Sequence, residues 1–533
     1  MKKGTFIKNF PFEEIRPQQK EALEKIEKYW DNYRYFIIEA PTGFGKSAFS
    51  GSIGMSVNNS FLITTTKQLQ DQYIRDFKEP EVVSLKGKAN YQCNLKPELN
   101  VECGPCTVNR EILKECKKTN ICSYYKQRKK ALNSNIAVLS MPFFLFSTTC
   151  GGYWEKRDVI IIDECHTLES QLVQWATIKL SPVELFKNYD LKLPNYTPSS
   201  GYKSNQKWLY SVWELILEKR KEYKQEIEDS LDGVDLDDLN EDELEEILLS
   251  HSAYYNLDKL YKKVEIFFKS PNKENWICEP EEDGIILTPV DISDLFKRYI
   301  DKMASKKIIF MSATILDLIG YAKSLGLKRE EVGILRLESD FPPENSPIYY
   351  RPSGSMNYNK LSETMPKIIE DVKEILSKHP NEKGIIHTGN YNIAKAICES
   401  IQDDRLLMRE ENENNESLIM KHISSSKPTV LVSPSLTTGT DLKDDLSRFQ
   451  IIVKAPFLNL SDKRVKIKSE QNPDWYVAGM LRTFVQASGR STRDKNDYST
   501  TYILDSCFYH YILKYRKWLP NSFFKRIKWK KEN

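Results

Sequence analysis

The sequence predicts an α/β fold in which parallel sheets are covered by helices, and three observations support this prediction. An apolar strand at residues 36–38 runs into a glycine-rich loop and then into a helix. A second apolar strand, at 159–162, ends in two acidic residues. Two strand–loop units, KGIIHTGN at 383–390 and VLVSPSLTTGTDL at 430–442, indicate a second α/β domain. In open parallel sheets ligands bind at the carboxyl ends of the strands, so we expect function in these loops.

The first strand and its loop, FIIEAPTGFGKSAF, carry the strongest functional signal. A strict phosphate-binding loop reads G-x-x-x-x-G-K-[ST], and Ala40 stands here at its first position. Glycines in such a loop let backbone N–H groups surround phosphate at a helix N-terminus. We expect Lys46 to reach the β- and γ-phosphates of ATP and Ser47 to ligate Mg²⁺. The predicted nucleotide-binding residues of the loop are Thr42, Gly43, Gly45, Lys46 and Ser47.

The second strand, in VIIIDECH, predicts the catalytic acids. Asp163 suits the binding of Mg²⁺, and Glu164 suits a general base that orients water against the γ-phosphate. Two acids after a strand are a weak signal alone. The phosphate-binding loop upstream makes the pair a strong one.

Two later segments complete the predicted ATP site. Ser312-Ala313-Thr314 ends the strand of KKIIFMSATI and places small hydroxyl residues beside the acids. FVQASGRSTRD has the spacing Q-x-x-G-R-x-x-R, in which Gln486, Arg490 and Arg493 are the defining residues. On a helix the two arginines share a face. Their guanidinium groups can stabilise the charge that develops on the γ-phosphate.

Five of the ten cysteines lie within residues 93–122. The N-terminal segment, MKKGTFIKNFPFEEIRP, has no apolar core of a signal peptide, and no run approaches the ~18 apolar residues of a membrane span. We therefore expect a soluble, intracellular protein, cytoplasmic or nucleoid-associated, with no membrane partner. Thiols stay reduced there, so the cluster favours metal ligation over disulfides. Thiolate-only ligation suits iron–sulfur or tetrahedral zinc, and spacing does not decide between them.

The net charge of +3 is unevenly distributed. Residues 86–130 contain 11 Lys and Arg against 4 acids, and residues 514–531 contain 8 Lys and Arg with no acid. Basic stripes on a nearly neutral chain indicate a polyanionic partner.

The ordered motifs resemble those of superfamily 2 helicases. They are APTGFGKS, TTTKQLQDQY, DECH, MSATI, TTGTDL and QASGRSTR. DECH and the N-terminal IRPQQ resemble the XPD- and DinG-type DNA helicases, in which a glutamine matching Gln19 contacts adenine. Two departures are Cys165, where the family usually has Ala, and Thr438, where it commonly has Glu.

The resemblance implies two RecA-like P-loop motor domains with an iron–sulfur cluster insertion and a helical arch insertion in the first. Its expected boundaries are 1–88, 130–175 and 285–330 for motor domain 1, 89–129 for the cluster domain, 176–284 for the arch and 335–533 for motor domain 2. Two amphipathic runs in the arch range predict helices.

The resemblance also implies a 4Fe-4S cluster on four cysteines. Cys93 and Cys122 match the family's first and last ligands, and Cys106 lies where the chain turns. We prefer Cys116 as the fourth ligand, while Cys103 remains the alternative because it would form a Cys-x-x-Cys pair with Cys106.

The resulting hypothesis is an ATP-dependent DNA helicase that uses Mg²⁺ and acts on single-stranded and forked DNA. By resemblance it moves 5′ to 3′ and serves DNA repair or related nucleic-acid metabolism. Basic residues interleaved with Tyr91, Tyr124 and Tyr125 suit a strand-separating wedge that stacks bases. Two alternatives stay open: a translocase that removes proteins without unwinding, and a scaffold that binds nucleotide without turnover.

Overall fold

The computed structural model describes residues 4–77, 81–107, 110–119, 121–194, 202–230, 241–410, 413–434, 442, 444–489 and 497–529. The strands are β1 (Tyr35–Glu39), β2 (Ser60–Thr64), β3 (Val82–Ser84), β4 (Ile136–Ser140), β5 (Arg157–Ile162), β6 (Ile178–Leu180), β7 (Trp276–Glu281), β8 (Gly284–Pro289), β9 (Ala304–Ser312), β10 (Val332–Arg336), β11 (Ile348–Gly354), β12 (Gly384–His387), β13 (Leu406–Met408), β14 (Val430–Ser433), β15 (Phe449–Ile452), β16 (Thr500–Asp505) and β17 (Ile527–Trp529).

Helices alternate with these strands. They are α1 (Thr5–Lys8), α2 (Pro17–Lys28), α3 (Lys46–Met55), α4 (Lys67–Asp76), α5 (Arg110–Lys118), α6 (Ser123–Asn133), α7 (Met141–Phe146), α8 (Leu168–Ala176), α9 (Pro182–Tyr189), α10 (Tyr202–Ser230), α11 (Glu241–Phe268), α12 (Ser293–Tyr299), α13 (Leu318–Ser324), α14 (Leu361–Lys378), α15 (Tyr391–Ser400), α16 (Asn415–Ser424), α17 (Lys463–Gln471), α18 (Pro473–Ser488), α19 (Cys507–Lys514) and α20 (Asn521–Lys525).

The chain forms two compact units. One comprises residues 1–37, 47–311 and 322–333, and the other comprises 38–46, 312–321 and 334–533. The second unit therefore includes most of the phosphate-binding loop together with the Ser312-Ala313-Thr314 segment.

The first sheet has seven strands in the order β10-β1-β9-β5-β2-β4-β3. Its pairs β2–β4, β2–β5, β3–β4 and β5–β9 are parallel. All five residues of β1 and of β2 are buried, as expected of strands covered by helices on both faces. This sheet brings the end of β5, where the two acids follow, beside the end of β2.

The second sheet also has seven strands, in the order β13-β14-β12-β15-β16-β11-β17, and its pairs are parallel. A buried core packs α14 and α15 against it through residues such as Ile368, Val372 and Ile397. Two parallel sheets confirm the predicted α/β class with its RecA-like motor domains.

The range predicted as a helical arch contains more than helices. The two amphipathic runs form the long helices α10 and α11, which pair through a stacked contact between Trp213 and Tyr261, with ring centroids 5.5 Å apart. Strands at the two ends of this range add to the predicted helices, because β6 and β7 pair with β8, which begins at the last residue of the range, in a three-stranded antiparallel sheet. The alternating pattern of these short strands is a weaker sequence signal than the two long helical patterns beside it.

None of the helices in the described part of the chain is long and apolar enough to span a membrane.

Candidate nucleotide-binding site and cysteine pocket

The phosphate-binding loop connects β1 to α3 and depends on its glycines. Gly43 and Gly45 have φ angles of 81° and 83°, in the left-handed region that glycine adopts without steric cost. A Cβ on Gly43 would stand 2.4 Å from Cζ of Phe341, so any other residue there would clash with that ring. Lys46 and Ser47 are the first two residues of α3. The loop thus presents a helix N-terminus, the arrangement that binds phosphate elsewhere.

The two acids follow the buried strand β5 as predicted. Asp163 is 5% exposed, and its Oδ1 accepts the N–H of Glu164 at 2.9 Å. Glu164 has a φ of 48°, a left-handed conformation that is uncommon for a non-glycine residue and typical of functional sites. Oε2 of Glu164 lies 3.4 Å from Nδ1 of His166.

Tyr73, to which the sequence analysis assigned no role, holds Asp163. The Tyr73 hydroxyl donates to Oδ2 of Asp163 at 2.9 Å, and the ring is 1% exposed. Burial raises the pKa of Tyr73, and the Asp163 charge raises it further, so the hydroxyl remains protonated as a donor. Tyr73 is the last residue of TTTKQLQDQY, one of the motifs that resemble superfamily 2 helicases. That position is the sequence feature that indicates a role for Tyr73.

A short polar chain joins this pair to α3. The Ser50 hydroxyl lies 2.8 Å from the carbonyl oxygen of Ser47 and 3.3 Å from the Tyr73 hydroxyl. Ser47, Ser50, Tyr73 and Asp163 are therefore connected by successive contacts. This chain of contacts links the backbone of Ser47 to the carboxylate of Asp163 through Ser50 and Tyr73, which the motifs did not single out.

Gln19 lies in the first turn of α2 and is 3% exposed. Its Oε1 accepts the N–H of Arg16 at 3.0 Å, so its side chain helps to cap its own helix. Proline at the start of α2 is typical of a helix N-terminus.

Gln486 lies on α18, and its Nε2 donates to Oγ1 of Thr314 at 2.8 Å. This contact joins two segments that the sequence analysis assigned to one site. Arg490, Arg493 and Thr438 lie outside the described residues, so their predicted roles stay predictions.

Four of the five clustered cysteines line one pocket. Cys93, Cys106, Cys116 and Cys122 are each buried, and they share the pocket with the apolar residues Leu95, Val101 and Ile121. Cys103 is exposed and is absent from this lining. The arrangement favours Cys116 over Cys103 as the fourth ligand.

Burial and the neighbouring thiols raise the pKa values of Cys106 and Cys116. Burial raises the pKa of Cys106 to about 12, with a further contribution from Cys116. Burial likewise raises the pKa of Cys116, and Cys122 adds to the effect. Such thiols stay protonated without a cation, whereas a bound metal holds them as thiolates. Within the described ranges, no group of three or more His, Cys, Asp or Glu side chains is arranged around a single metal ion.

Two of the three tyrosines predicted to stack bases are buried, while Tyr91 is half-buried. Tyr124 and Tyr125 are 3% and 6% exposed, so the expectation that they stack bases is wrong for both rings. They pack edge-to-face on each other, and the Arg128 guanidinium lies over Tyr125 at 4.9 Å. These buried aromatic rings therefore contribute to the packing of the small cysteine domain.

Two family models match separate parts of the chain. Residues 12–193 match the family model of the type III restriction enzyme res subunit, and residues 372–526 match the helicase C-terminal domain. A probable ATP-dependent helicase of Methanocaldococcus jannaschii is 21% identical over 622 residues, covering 96% of this chain and 94% of the relative. The ATP-dependent DNA helicase YoaA of Escherichia coli is 21% identical over 603 residues, covering 94% and 93%.

A solved XPD helicase structure shares the fold, with a TM-score of 0.64 at 16% identity, over 97% of this chain and 100% of that one. The order of the motifs, the two matched domains and this fold agree along nearly the whole sequence. The comparisons therefore support the resemblance of this chain to the XPD- and DinG-type helicases of superfamily 2.

Proposed function

We propose that this ATP-hydrolysing helicase moves 5′ to 3′ along single-stranded DNA, unwinds forked duplex and serves DNA repair or related nucleic-acid metabolism. The observation that carries the proposal is the hydrogen bond from Tyr73 to Asp163, because a buried carboxylate held beside α3 is what Mg²⁺·ATP requires. The name of the Escherichia coli relative, an ATP-dependent DNA helicase, supports DNA as the polyanion.

ATP and Mg²⁺ are the expected ligands of this site. Ser47 and Asp163 hold Mg²⁺, and Lys46 neutralises charge on the β- and γ-phosphates. Glu164 accepts a proton from the attacking water. Arg490 and Arg493 stabilise the charge that develops on the γ-phosphate, and Gln19 with the loop residues 42–45 binds the remainder of the nucleotide.

The cysteine pocket suits a 4Fe-4S cluster held by Cys93, Cys106, Cys116 and Cys122. Four thiolates would hold such a cluster. Four buried thiols around a shared pocket support a group held by thiolates alone, and the resemblance carries the choice of iron. The cluster would hold together a domain that has a thin core of its own.

The domain assignment is part of the proposal. Motor domain 1 comprises 1–88, 130–175 and 285–330, the cluster domain 89–129, the arch-like insertion 176–284, and motor domain 2 residues 335–533. The long paired helices α10 and α11 support the arch-like insertion.

Two assays test the function. ATP hydrolysis should rise when single-stranded DNA is added, whereas a nucleotide-binding scaffold would show no turnover. Forked duplexes with either a 5′ or a 3′ tail should then be compared, and unwinding of the 5′-tailed fork alone is expected. Stimulated ATP hydrolysis without unwinding of either fork would favour the translocase, and unwinding of the 3′-tailed fork would reverse the proposed polarity.

A further inference from the structure

Glu39 is a buried carboxylate to which the ATP mechanism assigns no role. It is the last residue of β1, directly before the phosphate-binding loop, and it is 1% exposed. Burial raises the pKa of its carboxyl group, and the charge of Arg336 acts in the opposite direction. A buried charge is costly unless hydrogen-bond donors surround it, so the contacts of Glu39 indicate what it does.

Three donors converge on this carboxylate. Oε1 accepts the backbone N–H groups of Ile315 and Leu316 at 2.7 and 2.6 Å. Oε2 accepts Nε of Arg336 at 2.5 Å. All three are donors, which an ionised carboxylate satisfies and a neutral amide does not.

The turn that Glu39 holds is strained. Leu316 has a φ of 67°, a left-handed conformation that L-residues with a bulky side chain rarely adopt. Glu39 binds its N–H, and Nη2 of Arg336 donates to its carbonyl oxygen. The Glu39–Arg336 ion pair therefore holds both the N–H and the carbonyl oxygen of Leu316. Nη1 of Arg336 also donates to the carbonyl oxygen of Lys517 at 2.9 Å.

The strained turn follows Ser312-Ala313-Thr314. The N–H of Ala40, at the start of the phosphate-binding loop, donates to the carbonyl oxygen of Ser312 at 2.9 Å. Thr314 accepts Nε2 of Gln486, the first residue of the Q-x-x-G-R-x-x-R segment. A continuous set of contacts thus leads from the strand of the loop, through the turn, to Gln486.

We propose that Glu39 is a positioning residue that, with Arg336, couples the phosphate-binding loop to Gln486. The proposal rests on the ATP-hydrolysing function proposed above. Movement of the loop on nucleotide binding is transmitted through the Glu39 carboxylate to the Leu316 turn. Thr314 and Gln486 then move with that turn, so the position of Gln486, a predicted nucleotide-binding residue, depends on the state of the loop.

The test is Glu39→Gln, which keeps the shape of the side chain but cannot satisfy all three donors. The kcat of DNA-stimulated ATP hydrolysis should fall roughly tenfold, while the affinity for a non-hydrolysable ATP analogue stays within about twofold. Gln486→Ala should lower kcat as well, and the double variant should be no worse than the poorer single variant, because residues that act through one path are not additive. Glu24→Gln, on the exposed face of α2, is the matched control and should behave as the unaltered protein.

A purely structural role predicts something different. It would lower the melting temperature and the fraction of protein that binds nucleotide, with kcat per bound site unchanged. An unchanged kcat per bound site would overturn the proposal. Equal losses in analogue binding and kcat, or additive effects of the two substitutions, would also overturn it. If Glu39→Gln does not fold, Arg336→Lys decides by the same readouts, since lysine keeps the charge but cannot bind Glu39, Leu316 and Lys517 together. Absence of DNA-stimulated hydrolysis in the unaltered protein would instead reject the function itself.

Discussion

The Tyr73 hydroxyl donates to Oδ2 of Asp163 at 2.9 Å across 90 residues of sequence, and both groups are buried. Groups that hold a metal ligand in this way orient it and tune its affinity for the ion. Since burial and the Asp163 charge raise the pKa of Tyr73, its proton is retained throughout the neutral range and the bond persists there.

Tyr73→Phe should therefore weaken Mg²⁺ use without unfolding the protein. The ring stays in its packing site, but Oδ2 of Asp163 loses the Tyr73 donor, and the Mg²⁺ concentration needed for half-maximal ATP hydrolysis should rise about 10- to 100-fold. The measurement is hydrolysis rate against Mg²⁺ concentration. Tyr358→Phe is the control, because Tyr358 is 92% exposed. An unchanged Mg²⁺ dependence would show that Tyr73 serves packing alone.

Lys46→Ala should lower the ATP turnover rate by about 100- to 1,000-fold. The substitution removes the ammonium charge that stabilises the negative charge of the transferring phosphoryl group. Lys46 starts α3 after two left-handed glycines, the geometry of a phosphate-binding loop. Steady-state hydrolysis with saturating single-stranded DNA measures the effect. Lys207→Ala, an exposed position on α10, should leave turnover intact. Turnover of the Lys46 variant at the unaltered rate would reject the motor assignment.

Arg490→Ala and Arg493→Ala should each slow hydrolysis more than they weaken nucleotide binding. Residues that stabilise charge only in the transition state affect kcat, and arginines in this role can contribute about 10³-fold or more. Single-turnover hydrolysis and analogue binding should be measured on each variant, with the exposed Arg409→Ala as control. Equal losses in both quantities would make them ground-state phosphate ligands instead.

Cys93→Ser and Cys122→Ser should lose iron and fork unwinding yet keep substantial ATP hydrolysis. The phosphate-binding loop and the acids follow β1 and β5 of the first sheet, whereas the cysteines lie in the segment between β3 and β4. Cys116→Ser should be more damaging than Cys103→Ser, because Cys116 lines the pocket and Cys103 is exposed. Iron content, an anaerobic absorbance spectrum and unwinding should be measured on all four variants.

The reverse order of Cys103 and Cys116 would assign the fourth ligand to Cys103. Stoichiometric zinc in an anaerobic preparation would reject the iron assignment, and full unwinding by iron-free protein would reject the wedge.

The sequence by itself determined the features that short stretches encode. Glycines at 43 and 45 specify the positive φ angles of the loop. An apolar run specifies β5 and thereby the position of the two acids that follow it, and the amphipathic pattern specifies α10 and α11. Backbone conformation and periodicity depend on neighbouring residues, so these features are readable locally.

Only the tertiary structure decided which distant side chains meet. Glu39 reaches Arg336 across 297 residues because β1 and β10 are neighbours in the first sheet, and Tyr73 on α4 reaches Asp163 after β5. Burial distinguished Cys116 from Cys103, although both stand at plausible spacings. Such pairings depend on how helices and strands pack, and the same residue types at the same spacings occur in chains where they never touch.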